Sequence, residues 1–163
     1  MSSSVQTHEA RYAGRLLAAV RDETAAHLRL IDLLRSQEAN VTRPGNDAFR
    51  AATDGLQAEL ARVPHRAKKR AQILKDLAGV FGVSVKALTI GSAVERLGDR
   101  GVALGAARTE LQAAAIETRR LTLRVGALVR MHREVTRDLL QVVLGGDEQH
   151  DVAGGGTLID AEI

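Results

Sequence analysis

Apolar residues recur through the C-terminal half of the chain with alternating steps of four and three, the spacing of one helix face. This seam begins at Leu104 and ends at Val142. Its positions are Leu104, Ala107, Leu111, Ala114, Thr118, Leu121, Val125, Leu128, His132, Val135, Leu139 and Val142. So long a seam predicts a helix that packs lengthwise against other helices, and therefore an elongated all-α protein.

The same spacing predicts two earlier helices. The first covers residues 7–40 and ends before Thr42-Arg43-Pro44-Gly45, because proline disfavours helical geometry in the residue before it. The second follows Asn46, a suitable N-cap, and ends within residues 79–82. Pro64 lies inside the second helix, but the seam keeps its register across it. We therefore expect a kink at Pro64 rather than a break.

The third helix should begin at Ser92, since Ser92-Ala93-Val94-Glu95 has the form of a capping box. A short turn or helix over residues 84–89 would precede it. Gly145-Gly146 should end it, because glycine readily adopts the left-handed conformation that closes helices. The chain thus predicts an antiparallel helical bundle or coiled coil of three main helices over residues 1–145. Residues 146–163 should form a flexible, acidic, glycine-containing tail.

Composition supports this class and restricts the chemistry. Aromatic residues make up 2% of the chain and cysteine is absent, which excludes disulfides and thiolate metal sites. The five histidines lack metal-binding or catalytic spacing, and the glycine-rich stretches lack the lysine of a phosphate loop. We expect no enzyme activity, metal or cofactor. No apolar run approaches the ~20 residues that cross a bilayer, so we expect no stable membrane insertion and a cytoplasmic location.

A basic run surrounds Pro64, although the net charge of the chain is only +3. It consists of Arg62, His65, Arg66, Lys68, Lys69 and Arg70. One interpretation is a contact with nucleic acid or an acidic membrane. A solvated helix face is the favoured interpretation, because helical phase spreads these side chains around the helix and acids flank them. We therefore expect no nucleic-acid partner.

Two histidines occupy seam positions, His27 on the first helix and His132 on the third. Polar side chains at these positions could fix the register of the packed helices or respond to pH. The favoured alternative is that they are partly exposed where packing is loose.

From Leu121 onward the apolar stripe of the third helix becomes broader than one partner requires. The added residues are Leu123, Val129, Met131, Leu140, Val143 and Leu144. A helix from a second copy or from another protein would cover this surplus. The alternative is that the first two helices cover it completely.

Three segments resemble the FlgN-type flagellar export chaperones. Residues 30–38 (LIDLLRSQE) are similar to the leucine-rich first helix of that family. Residues 117–128 and Leu139-Leu140 are similar to its third helix, and residues 150–160 resemble its tail pattern. The order of helices resembles the family as well.

This resemblance implies a cytosolic, non-enzymatic chaperone of the flagellar type III secretion system. Its clients would be the hook–filament junction proteins FlgK and FlgL, kept unpolymerised and delivered to the export gate and ATPase. The client-binding residues expected on the seam are Leu121, Val125, Leu128, Val135, Leu139 and Val142. His150 and Asp151 would contact the export machinery. The alternatives are a coiled-coil module that forms homodimers without a secretion client and, less favoured, a nucleic-acid or membrane binder that uses the basic run.

Overall fold

The computed structural model describes the backbone of residues 2–43, 45 and 47–150, and the side chains of residues 7–43, 45 and 47–144. All regular structure in these residues is helical, which confirms the all-α class. The elements are α1 (Ser2–Asn40), α2 (Asp47–Phe81), a 3-10 turn (Val85–Ala87), α3 (Ile90–Leu97), a second 3-10 turn (Gly98–Gly101) and α4 (Val102–His150). Contacts divide the chain into two compact units, residues 1–125 and 126–163.

In the first unit α1 runs antiparallel to α2 and parallel to the beginning of α4. Gln37 near the end of α1 donates a hydrogen bond of 3.0 Å to Thr53 near the start of α2. His27 and Thr118, 3.0 Å apart, join the middle of α1 to α4. The periodic apolar residues of α1, α2 and α4 face inward, so each helix buries one apolar stripe against its neighbours.

The main core of the first unit lies where α1, the end of α2, α3 and the start of α4 meet. Leu16, Leu77 and Leu104 are almost completely enclosed there. Burial of each such side chain contributes roughly 1.5–3 kcal/mol. The seam residues Ala114, Leu121 and Val125 of α4 are buried further along the unit.

The prediction that one helix begins at Ser92 is wrong. Thr89, in an extended conformation, caps α3, and its side chain accepts a hydrogen bond of 3.1 Å from the Ser92 backbone. The Ser92 hydroxyl accepts from the Thr89 backbone in return, so Ser92 is the third residue of α3 and the last residue of this capping box, not its first. Gly98 then adopts a φ of +54°, which a residue with a side chain rarely does, and ends α3 before α4 begins.

Helix α1 begins at Ser2, earlier than the predicted start at residue 7, and ends at Asn40 as predicted. Helix α2 continues through Pro64 without a break, as expected from the preserved register. The prediction that Gly145-Gly146 ends the last helix is wrong, since α4 continues to His150. Glycine disfavours a helix interior by about 1 kcal/mol but does not forbid it. Asn46 and the tail from Asp151 onward lie outside the described residues.

No helix among the described residues combines the length and the apolar character that a bilayer-spanning segment requires.

Candidate functional site

The second unit carries an exposed apolar surface on α4, which we call the α4 strip. It comprises Met131, Val135, Leu139, Leu140, Val142, Val143 and Leu144. Each of these side chains is more than half exposed, from 51% for Val135 to 74% for Val142. Contiguous apolar patches on monomeric proteins rarely exceed a few hundred Å² and often serve binding.

Helical spacing shows how these residues are arranged around α4. Met131, Val135, Leu139 and Val142 follow each other at intervals of four, four and three residues, so they lie along one face. With 3.6 residues per turn, Val143 adjoins this face, whereas Leu140 and Leu144 lie on the opposite side of the helix, so the exposed apolar side chains surround more than half of it. An arc this wide exceeds the narrow seam by which two helices pair, and it suits packing against more than one helix.

Charged residues of both signs share this part of α4. Arg130, Arg133 and Arg137 are exposed, as are Glu134 and Asp138. Arg137 Nε lies 3.7 Å from Asp138 Oδ1, and both side chains are about two-thirds or more exposed. The charged groups are therefore exposed to water beside the uncovered apolar side chains.

The structure separates the predicted client-binding residues into two groups. Leu121 and Val125 are 2% and 3% exposed, packed inside the first unit by their own chain. Leu128 is half-buried, whereas Val135, Leu139 and Val142 belong to the α4 strip. Only the second group offers substantial free surface to a partner. The side chain of His150 and all of Asp151, predicted to contact the export machinery, lie outside the described part of the chain.

His27 and Thr118 form a polar contact inside the first unit, between α1 and α4. The Thr118 hydroxyl donates its single hydrogen to the Ala114 carbonyl, 2.8 Å away. Its oxygen must therefore accept from His27, which fixes the neutral ring with its hydrogen on Nδ1. Burial lowers the pKa of His27; Glu23 opposes this shift and Arg66 adds to it. Half-buried His132 lies in the second unit.

A buried carboxylate on α2 is the most enclosed charged group among the described side chains. Glu59 is only 6% exposed and receives hydrogen bonds from three arginines. Arg66 donates to Oε2 at 2.8 Å, while Arg29 of α1 and Arg62 donate to Oε1, each at 3.1 Å. We call these four residues the Glu59 cluster. Burial alone raises the pKa of Glu59, but the hydrogen bonds from Arg29 and Arg66 outweigh it and lower the pKa below its ordinary value.

Sequence reasoning missed this cluster because Glu59 counted only as an acid beside the basic run. The available signal was its spacing. Ala52, Glu59 and Ile73 are separated by multiples of seven residues, and all three are buried on the inner face of α2.

The basic run is largely neutralised by neighbouring acids. Arg62 and Arg66 belong to the Glu59 cluster, and Lys69 Nζ lies 3.4 Å from Asp22 Oδ2. Arg70 pairs with Glu23 of α1. Four of the six basic residues therefore pair with carboxylates of the first unit: two pair with Glu59 on α2 itself, and two connect α2 to α1.

Within the described residues, no three histidine or carboxylate side chains converge as metal ligands do. Comparisons of the chain with protein-family models, with curated proteins and with solved structures found no match.

Proposed function

We propose that this chain is an export chaperone of the FlgN type, which holds hook–filament junction proteins such as FlgK and FlgL unpolymerised before secretion. The observation that supports the proposal is the α4 strip, an apolar surface that the described residues leave uncovered. A disordered, amphipathic client terminus would fold onto it as a helix, with apolar anchors three and four residues apart. The client would be released at the export gate and ATPase.

The size of the strip suits reversible binding. Covering the exposed half of seven apolar side chains would contribute roughly 5–11 kcal/mol. Association and the ordering of a disordered client consume several kcal/mol of this gain. A chaperone requires such moderate affinity, because the client must leave before it is secreted.

The proposal predicts that charge within the strip abolishes client capture. The double variant Val135→Asp/Leu139→Asp places two carboxylates where the client would bury apolar surface. Each change should cost at least about 2 kcal/mol if the residue is an anchor, so the affinity should fall at least several hundredfold. Calorimetric titration with purified FlgK and FlgL measures it.

Ile116→Asp/Leu123→Asp is the matched control, because these α4 residues are 70% and 65% exposed but lie in the first unit. The control should bind like the wild type, and circular dichroism should show equal helix content in both variants. Equal affinity of the strip variant and the control would refute the assignment of the strip.

An oligomerisation module is the second candidate, since the same strip could pair with a second copy. Sedimentation equilibrium separates the two functions. A stable dimer that Val135→Asp/Leu139→Asp dissociates, together with no binding of either junction protein, would establish the module and overturn the chaperone.

A further inference from the structure

A groove between α1 and α4 in the first unit forms a second surface, remote in sequence from the α4 strip. It has a volume of about 670 Å³. Its floor is apolar, formed by Leu28 and Ile31 of α1 and by Ala113 and Ala114 of α4. Leu28 remains 52% exposed, although it lies between buried turns of α1. The small alanines leave room for another helix to approach closely.

Acidic groups dominate the sides of this groove. Asp32, Glu110 and Glu117 line it together with a single cation, Arg35. Glu117 is already engaged, because Arg120 donates to both its oxygens at 2.7 and 2.8 Å. Asp32 and Glu110 are exposed, and no cation of the described residues pairs with either. The groove therefore combines an apolar floor with an uncompensated negative charge.

We propose that this acidic groove binds a cationic amphipathic helix of a partner protein. Apolar residues of that helix would cover Leu28, while lysine or arginine side chains would reach the free carboxylates of Asp32 and Glu110. Such complementarity selects a partner by the sign of its charge and speeds its association.

A second copy of the chain fits the groove less well than a cationic helix. The most exposed apolar surface of the described residues is the α4 strip, and both Arg130, Arg133 and Arg137 and the carboxylates of Glu134 and Asp138 accompany it. Docking the strip would therefore bring charges of both signs towards Asp32 and Glu110, whereas a helix whose polar face is purely cationic would bring only attraction.

Two synthetic amphipathic peptides of equal length and identical apolar faces test the proposal. One carries lysine on its polar face and the other carries glutamate. Titration of the isotopically labelled full chain, followed by amide chemical shifts in NMR spectra, locates the binding. The lysine peptide should shift amides in residues 24–35 and 110–117, and the glutamate peptide should bind at least about fivefold more weakly.

The variant Asp32→Asn/Glu110→Gln removes the charge while keeping side-chain shape, and it should weaken the lysine peptide about three- to tenfold. Leu28→Ser removes the exposed apolar contact and should weaken both peptides about fivefold or more. The control Asp54→Asn/Glu95→Gln changes two exposed acids outside the groove and should leave binding unchanged.

Four results would each overturn the proposal. The first is equal affinity of the two peptides, and the second is no binding of the lysine peptide at millimolar concentration. The third is a set of shifts confined to residues 131–144, which would assign binding to the α4 strip. The fourth is self-association of the chain that Asp32→Asn/Glu110→Gln abolishes, which would make a second copy the occupant.

Discussion

Replacement of the buried carboxylate in the Glu59 cluster tests how strongly α1 and α2 depend on it. Glu59→Gln removes the charge while retaining the size of the side chain and one carbonyl acceptor. In the wild type, Glu59 accepts from Arg29 across the helix interface and from Arg66 on its own helix. The substitution leaves these guanidinium groups without a compensating carboxylate.

The exposure of the three arginines determines how much stability Glu59→Gln should lose. Loss of one partner from a fully buried ion pair costs about 3–5 kcal/mol, because the other charge remains enclosed and uncompensated. Here the side chain of Arg66 is 18% exposed, whereas those of Arg29 and Arg62 are 51% and 64% exposed and can turn to water. We therefore expect a loss of about 2 kcal/mol, or a decrease of about 4–8 °C in Tm for a chain of this length.

Urea and thermal unfolding followed by circular dichroism measure this loss, with Asp54→Asn as the exposed control on the same helix. The pKa of Glu59 is lowered in the folded state, so the stabilisation it provides is complete above 4.5, the ordinary pKa of a glutamate carboxyl. It disappears as the pH falls through the lowered pKa, where Glu59 becomes protonated. The difference between wild type and Glu59→Gln should shrink in that range. A variant within about 0.5 kcal/mol of the wild type at neutral pH would refute the reasoning.

Two further predictions concern the first unit. Burial lowers the pKa of His27 in the folded protein, so as the pH falls the histidine is protonated in the unfolded state before it is protonated in the folded state. The Tm of the wild type should therefore fall relative to that of His27→Gln as the pH decreases below 6.5. Parallel pH profiles of the two proteins would contradict this. Gly101→Ala should destabilise by about 1–3 kcal/mol, since the new Cβ would stand 2.5 Å from the Val94 carbonyl oxygen. The Cβ that Gly14→Ala adds has no neighbouring side chain or other element within 4 Å, so this variant should stabilise the protein by about 0.5–1 kcal/mol. A higher Tm for Gly101→Ala than for Gly14→Ala would contradict both expectations.

Periodicity predicted the helical class, the end of α1 at Asn40 and the continuity of α2 through Pro64, because each depends on local spacing and backbone geometry. It also identified the inward-facing seam residues of α4, of which Leu121 and Val125 are buried. It failed between α3 and α4. Two capping patterns overlap at the start of α3, from Thr89 to Ser92 and from Ser92 to Glu95, and the positive φ of Gly98 ends α3.

The sequence by itself determined which residues form helices and which face of each helix is apolar, since both follow from the propensities and spacing of neighbouring residues. Only the tertiary structure decided which part of each face is covered, because coverage depends on side chains distant in sequence. It enclosed Leu121 in the first unit but left Leu139 exposed, although both occupy the same seam. It also buried Glu59 by bringing Arg29 from another helix to compensate its charge. Such long-range contacts determine which surfaces stay exposed, and these are the α4 strip and the acidic groove.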